Sequence, residues 1–275
     1  PELTADAKHD SSATYFPVAL GKKAESLEFH RTENLNCSSA FLPNREFLDR
    51  FIYVGNFFNI RETVRLNVVV LDQYLPQNGI TQADFIELDT QGSELDILQG
   101  AQDFLSSSIL GVRVEVEFSA MYHNQPLFAD VDSFLRQFGF MLFDLERYHL
   151  RRKSLPIQSS SREQIVWGQA LYFKDWKNLA LNLSKQQIIK LAVISSYYGF
   201  ESYAFEIIEY LLREDVRLLT SMEKEQLANL CYTDRLPRKL SRRKRLTRFL
   251  RQMYGRVQPV LHLPTLEPSF SPEKN

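Results

Sequence analysis

The sequence predicts an α/β sheet with helices on its faces, followed by an all-helical domain. Between residues 65 and 173, apolar runs of strand length alternate with segments of helical spacing, a pattern typical of α/β folds. The last two predicted strands, 140–145 and 169–173, are joined by a polar, serine-rich connection rather than by a helix. We therefore expect these two strands to form an antiparallel edge of the sheet.

The character of the chain changes after Trp176, because from there the apolar residues recur only at helical spacing. Gly199 is placed to end one of these helices. The predicted helices cover 184–198, 200–214 and 221–232, and the first two are expected to pair as a helical hairpin. We divide the chain into an α/β domain (1–176), a helical accessory domain with a basic last helix (177–256) and a disordered tail (257–275).

The N-terminal region has fewer regular patterns. Residues 14–20 and 27–32 have the composition of strands and flank a turn at Gly21, so they are predicted to form a hairpin-like pair. Residues 33–60 are rich in loop-forming residues. The run 65–71 (RLNVVVL) has the pattern of a buried strand, and a short helix is expected directly after it.

The stretch FIELDTQGSELDIL (85–98) predicts a strand, a tight turn and a helix. Ser93 and Asp96 have the spacing of a capping box at the start of that helix. Asp89 follows the strand directly, and in open α/β sheets ligands bind at this carboxyl end. Gly92 is interpreted as a residue that needs a positive φ or a close approach of its backbone, with an ordinary turn glycine as the alternative.

The next strand, 111–118, carries charge on one face only. Alternation places Arg113, Glu115 and Glu117 together, which indicates a cleft, a sheet edge or an internal ion pair. Glu117 lies nearest the carboxyl end and is favoured as a site residue, whereas Glu115 is expected to be paired structurally. His123, in the loop that follows, is a candidate general base, with a surface histidine as the alternative.

Three segments together resemble the FkbM family of S-adenosylmethionine-dependent methyltransferases. They are LDTQGSELDILQGA, GVRVEVEFS and MYHNQPLFADVDSFLRQFGFMLFDL, and the similarity spans roughly residues 15–175. The resemblance implies a Rossmann-like methyltransferase sheet with S-adenosylmethionine as cofactor. By family analogy it also implies O-methylation of a sugar or glycoconjugate hydroxyl.

The resemblance also assigns roles to the charged residues. Asp89, Glu117 and His123 are the implied catalytic residues; Asp89, Gln91, Gly92 and Glu94 are the implied cofactor-binding residues. A structural alternative stays open for two of them. Asp89 could cap the helix that begins near Ser93, and Glu94 could serve only to stabilise the first helical turn through the helix dipole.

The glycines depart from the family pattern. No two are closer than eight residues, so the glycine-rich turn that holds nucleotide-type cofactors is missing from this sequence. We expect a methyltransferase sheet that is incomplete at its N-terminus. The alternative is a degenerate relative that no longer binds the cofactor.

The distribution of charge and the two cysteines narrow the functions that the sequence allows. The net charge of −1 hides ten Lys or Arg and no acid within 235–256, which leaves the rest of the chain at 23 basic against 34 acidic residues, or −11. A non-catalytic scaffold that binds an anionic partner through this segment is the alternative function, although the segment could equally pack on the acidic remainder. Cys37 and Cys231 predict neither a disulfide framework nor a metal site, which fits a cytoplasmic protein. No apolar run approaches the roughly 18 residues of a membrane span.

Overall fold

The computed structural model describes residues 13–154, 156, 160–213 and 261–262. Its strands are β1 (Ala19–Leu20), β2 (Glu25–Thr32), β3 (Ile60–Val69), β4 (Phe85–Leu88), β5 (Gly111–Glu117), β6 (Phe140–Leu150), β7 (Gln164–Lys174) and β8 (Leu261–His262). Its α-helices are α1 (Arg45–Leu48), α2 (Leu71–Gln77), α3 (Glu94–Gln99), α4 (Gln102–Ser107), α5 (Phe128–Gln137), α6 (Lys185–Tyr197) and α7 (Glu201–Arg213). Short 3-10 helices occupy Leu35–Cys37, Gly55–Phe58 and Leu179–Leu181.

Five strands form the main sheet in the order β6-β7-β5-β4-β8. β4 is parallel to β5 and to β8, whereas β7 is antiparallel to both β5 and β6. The predicted mixed α/β class and the antiparallel edge are therefore confirmed. Because β4 and β5 are parallel neighbours, their carboxyl ends meet at the same edge of the sheet.

One face of the sheet packs against α3, α4 and α5. The valines of β5 that alternate with its charged residues lie in this core, and Leu98 of α3, Leu105 of α4 and Leu135 of α5 cover them. All of these side chains are buried. The alternation seen in the sequence thus buries the apolar face of β5, as the pattern predicts.

The opposite face packs against α6 and α7. Phe85, Leu110 and Phe173 of the sheet share one core cluster with Leu191 of α6 and Ile207 of α7. A capping box of Ser184 and Gln187 starts α6, and Gly199, at φ +93°, separates the two helices. The expected helical hairpin is confirmed, and it lies directly on the sheet.

The other calls for the C-terminal region fall largely outside the described residues. This applies to the predicted helix 221–232, to the basic segment 235–256 and to the tail 257–275, apart from the two residues of β8. The division of the chain into domains therefore stays a prediction, and so does the role of the basic segment.

The small sheet differs from the hairpin expected near the N-terminus. Its order is β1-β3-β2, with β3 in the middle, parallel to β1 and antiparallel to β2. β1 and β2 are thus not paired with each other, because the later strand β3 takes the place between them. The strand predicted at 65–71 is present as the second half of β3, but it is only partly buried. Val68 is buried, Leu66 and Val69 are half-buried, and Arg65 and Asn67 are exposed.

A third cluster joins the loop-rich segment 33–60 to the carboxyl end of β5. It contains Leu48, Phe51, Phe58 and Tyr122, all buried. This segment covers the sheet edge at which β4 and β5 end. Within the described part of the chain, no helix has the length and the apolar character that crossing a membrane requires.

Candidate functional site

The turn after β4 has an unusual backbone. Gln91 and Gly92 both have positive φ, at 58° and 107°. A Cβ placed on Gly92 would lie 3.3 Å from Phe41 Cδ2 and 3.4 Å from Gln125 Cβ. The glycine is therefore required both by its φ and by close approach, as expected, and the non-glycine residue before it sits in a sparsely populated conformation that costs on the order of 1–3 kcal/mol.

Glu94 holds this turn in place. Its Oε1 accepts hydrogen bonds from Thr90 N (2.5 Å) and Thr90 Oγ1 (3.0 Å), and its Oε2 accepts one from Gly92 N (2.9 Å). The predicted capping box was wrong, because Ser93 makes no side-chain cap and has ψ 2° rather than an extended conformation. The buried carboxyl group of Glu94 satisfies the turn amides instead.

Asp89 lies half-buried at the carboxyl end of β4. Its Oδ1 accepts a hydrogen bond from Gln91 Nε2 (3.0 Å), and its Oδ2 accepts one from Gln169 Nε2 (3.4 Å). These donors belong to side-chain amides and not to the backbone of α3, so Asp89 does not act as the helix cap considered as its structural alternative. Gln91 Nε2 also donates to Glu115 Oε2 at 2.6 Å, which links the ends of β4 and β5.

Glu115 belongs to the same group, contrary to the expected structural pairing. Arg113 forms its ion pair with Glu87 on β4, directly opposite in the register, and leaves Glu115 to the Gln91 amide. Glu94, Glu115 and Glu117 have residue exposures of only 2%, 7% and 3%. We call these three residues and Asp89 the acid cluster.

Burial changes the protonation of the acid cluster. It raises the pKa of Glu94 to about 7, against the opposing hydrogen bonds of the turn. Burial and then the charge of Asp89 raise the pKa of Glu115 well above its ordinary value. Burial and then the charge of Glu94 do the same for the pKa of Glu117, and the Gln125 amide partly opposes the rise. Burial thus favours the neutral form of the three glutamates, and Asp89 is the member that is partly exposed.

Two residues after β5 close over the acid cluster. The hydroxyl of buried Tyr122 lies 2.8 Å from Cys37 O and 3.2 Å from Gln91 Oε1. Gln125 Oε1 accepts from Tyr122 N at 2.6 Å, whereas its buried Nε2 has no hydrogen-bond partner of normal geometry in the described structure. Ser39 Oγ donates to Gln91 O at 2.7 Å, so the 33–60 segment is fastened to the turn.

His123 stands apart from this arrangement. It is exposed, its backbone N–H donates to Leu42 O at 2.8 Å, and no described contact joins its ring to the acid cluster. The structure therefore brings Asp89, Gln91, Gly92, Glu94 and Glu117 together but leaves His123 outside.

Sequence reasoning missed four members of the site: Glu115 as a cluster member, Tyr122, Gln125 and Gln169. Tyr122 and Gln125 flank His123 in the loop MYHNQ, where the histidine was the candidate chosen. Gln169 is a polar residue beside the apolar run ALYF of β7, which lies between β6 and β5. Among the described residues no group of His, Cys, Asp or Glu has the geometry of a metal site.

A model of the methyltransferase FkbM domain matches residues 5–142. The chain belongs to this family. A comparison with curated proteins found no match, and neither did a comparison with solved structures. The matched part of the FkbM domain includes the whole acid cluster together with Tyr122 and Gln125, whereas Gln169 lies beyond it.

Proposed function

We propose that this FkbM protein is an S-adenosylmethionine-dependent O-methyltransferase that acts on a hydroxyl group of a sugar or glycoconjugate. The observation that supports the proposal is the half-buried carboxylate of Asp89 at the edge where parallel strands β4 and β5 end, backed by buried carboxyl groups. Ligands of open α/β sheets bind at this edge. The family membership supports methyl transfer as the reaction class.

Asp89 fits the cofactor in charge, whereas the glycine-rich turn that holds the nucleotide part of such cofactors is missing from this sequence. S-adenosylmethionine, when bound, supplies a methyl group carried on a positively charged sulfur, and a carboxylate favours a cation beside it. Gln125, whose side-chain amide lies against Glu117, is a further buried polar residue near the same edge. Of the four implied cofactor residues, Asp89 is the one that faces the ligand, whereas Gln91, Gly92 and Glu94 are bonded within the turn and hold it in position.

Asp89 acts on the acceptor hydroxyl in this proposal. Its carboxylate accepts a hydrogen bond from the hydroxyl, orients the oxygen and takes its proton. Bound S-adenosylmethionine would supply the methyl group to that oxygen, and breakage of the bond from the methyl carbon to sulfur would leave a neutral thioether. Gln91 and Gln169 fix the two carboxylate oxygens of Asp89 by donating to them from either side. Burial and the charge of Asp89 raise the pKa of Glu115, which favours its neutral form and limits the negative charge beside Asp89.

The test combines a binding measurement with an activity measurement. Calorimetry with S-adenosylmethionine on the 275-residue chain is expected to show saturable binding, and mass spectrometry is expected to detect methylated glycosides. Asp89→Asn should lower kcat by a factor of about 10²–10⁴, because the isosteric amide cannot take a proton. The matched control is Asp103→Asn, at an exposed acid in the first turn of α4. Equal kcat values for the two variants, or no binding of S-adenosylmethionine, would contradict the proposal.

A further inference from the structure

A row of polar side chains crosses the face of the main sheet that carries Asp89. In the strand register, Glu115 of β5 lies opposite Gln169 of β7, and Gln169 lies opposite Glu146 of β6. Asp89 continues the register of β4 next to Glu115, since Leu88 pairs with Val114. We call Asp89, Glu115, Gln169 and Glu146 the cross-strand row. It spans four neighbouring strands, or about 14 Å at the usual strand spacing.

An aromatic pair stands at the outer end of this row. Tyr148 and Trp167 are directly opposite in the register, with ring centroids 5.2 Å apart and ring planes at 16°. Trp167 packs against the third core cluster, whereas Tyr148 is 39% exposed. The Tyr148 hydroxyl donates to Glu146 Oε2 at 3.3 Å, which ties the ring to the row. The pair therefore presents a fixed aromatic surface beside carboxylates.

Gln169 lacks one partner. Its Nε2 donates to Asp89, but its Oε1 is buried and has no hydrogen-bond donor in the described structure. A buried acceptor without a donor costs on the order of 1–3 kcal/mol, and such a cost is typical of sites where a ligand or an ordered water completes the network. The carboxylate oxygens of Asp89 and Glu146 are further acceptors, so the row favours a ligand that carries several donors.

Hydroxyl groups on a ring meet both requirements. A sugar ring carries several O–H donors at its edge, and its face of C–H groups is apolar and packs on an aromatic face. Anionic ligands are disfavoured, because the row carries the acids Asp89 and Glu146 and the neighbouring Arg113 is already paired with Glu87. The row is wider than one pyranose ring, so a ligand that touches both Tyr148 and Asp89 has at least two linked rings.

We propose that the cross-strand row and Tyr148 form the acceptor subsite, which binds two linked sugar rings with one stacked on Tyr148 and a hydroxyl of the other at Asp89. This inference rests on the proposed methyl transfer for the role of that hydroxyl. The binding itself depends only on the row and on the aromatic surface. Tyr148 thus selects for acceptors with two sugar rings, although it does not touch the reacting atoms.

The test compares acceptors of one and two rings. Methyl glucoside is paired with methyl cellobioside, and methyl galactoside with methyl lactoside, and kcat and KM are measured for each. We expect the KM of the preferred disaccharide to be about 10-fold lower than that of its single-ring counterpart, an effect of the size expected for one aromatic contact. Tyr148→Ala should raise the disaccharide KM to the single-ring value, and Tyr148→Trp should restore it. Tyr53→Ala, at a tyrosine that is 70% exposed, is the control.

A second readout separates this inference from the proposed function. Binding of the same glycosides is followed by tryptophan fluorescence without cofactor, since Trp167 contacts Tyr148. If no glycoside is methylated but the disaccharides bind in a manner that Tyr148→Ala weakens, the subsite stands and the proposed methyl transfer fails. Equal affinity for one and two rings, no binding of any glycoside, or a Tyr148→Ala variant that matches Tyr53→Ala would overturn the subsite.

Discussion

Buried acidic side chains have different partners at the two ends of β4. At the amino end, Asp84 is 2% exposed and its carboxylate meets Lys190 Nζ of α6 at 2.7 Å. At the carboxyl end, Glu94, Glu115 and Glu117 are as deeply buried, and in the described structure they contact amides and each other but no Lys or Arg.

This difference distinguishes acids that hold elements of the fold together from acids that can take part in chemistry. A buried acid with a cationic partner ties two elements together, here the sheet and α6. Buried acids without such a partner change their protonation instead, and groups of this kind concentrate at functional sites. The backbone follows the same division, since the positive φ values of Gln91 and Gly92 occur at the carboxyl end.

The largest effect is expected where the charge is paired. Lys190→Met leaves the Asp84 carboxylate buried without its cation, and this should lower the free energy of unfolding by about 3–5 kcal/mol in urea denaturation. Lys177→Met is the matched control, because Lys177 forms an exposed ion pair with Glu206 and should cost less than about 1 kcal/mol. If Lys190→Met lowers the free energy of unfolding no more than Lys177→Met does, the proposed difference between the two ends of β4 is wrong.

A smaller effect, which depends on pH, is expected in the acid cluster. The pKa values of Glu94 and Glu117 in the folded protein lie above the ordinary glutamate value of 4.5, so the folded protein holds protons that the unfolded chain has released. The free energy of unfolding should therefore fall as pH rises above about 4.5, through the pKa of about 7 for Glu94 and through the raised pKa of Glu117.

Glu117→Gln should flatten this decline, by up to about 1.4 kcal/mol per pH unit for a single proton. Urea unfolding at a series of pH values measures the slope. Glu28→Gln changes an exposed glutamate and should leave the slope of the parent protein intact. A steeper decline in Glu117→Gln, or one parallel to the parent, would show that Glu117 does not hold an extra proton in the folded state.

The smallest effect concerns the backbone of the turn. Gly92→Ala and Gly79→Ala both place a Cβ at positive φ, at 107° and 79°, which costs about 1 kcal/mol or slightly more. A Cβ on Gly79 has no atom within 4 Å, whereas one on Gly92 meets Phe41 and Gln125. Gly92→Ala should therefore be the more destabilising by roughly 1 kcal/mol in thermal unfolding. Equal losses of stability in the two variants would mean that Phe41 and Gln125 can move away from the added Cβ at no cost in free energy.

Local patterns in the sequence were sufficient to predict the carboxyl end of β4 and the charged face of β5. The strand–turn–helix unit around Asp89 depends on residues close together in the chain, and so does the alternation that places Glu115 and Glu117 on one face. Periodicity also predicted α6 and α7 with the boundary at Gly199.

Contacts between distant segments could not be predicted in the same way. β1 and β2 resemble a hairpin until β3, some thirty residues later, is known to lie between them. Arg113 is a plausible partner for Glu115 until the register places Glu87 opposite it. Gln169 reaches Asp89 across 80 residues of chain, and no spacing rule connects the two. Pairing of strands is decided by the whole fold, and therefore single-sequence patterns do not determine it.

The packing of α6 and α7 on the sheet has a practical consequence for anyone who shortens this protein. A version that stops near Trp176 keeps all the residues around Asp89 but uncovers Phe85, Leu110 and Phe173, which lie on the same face of the sheet as Asp89, toward the amino ends of β4 and β5. An exposed apolar surface of this kind favours aggregation. Poor solubility of such a fragment would then reflect the missing helices rather than a defect in the α/β part.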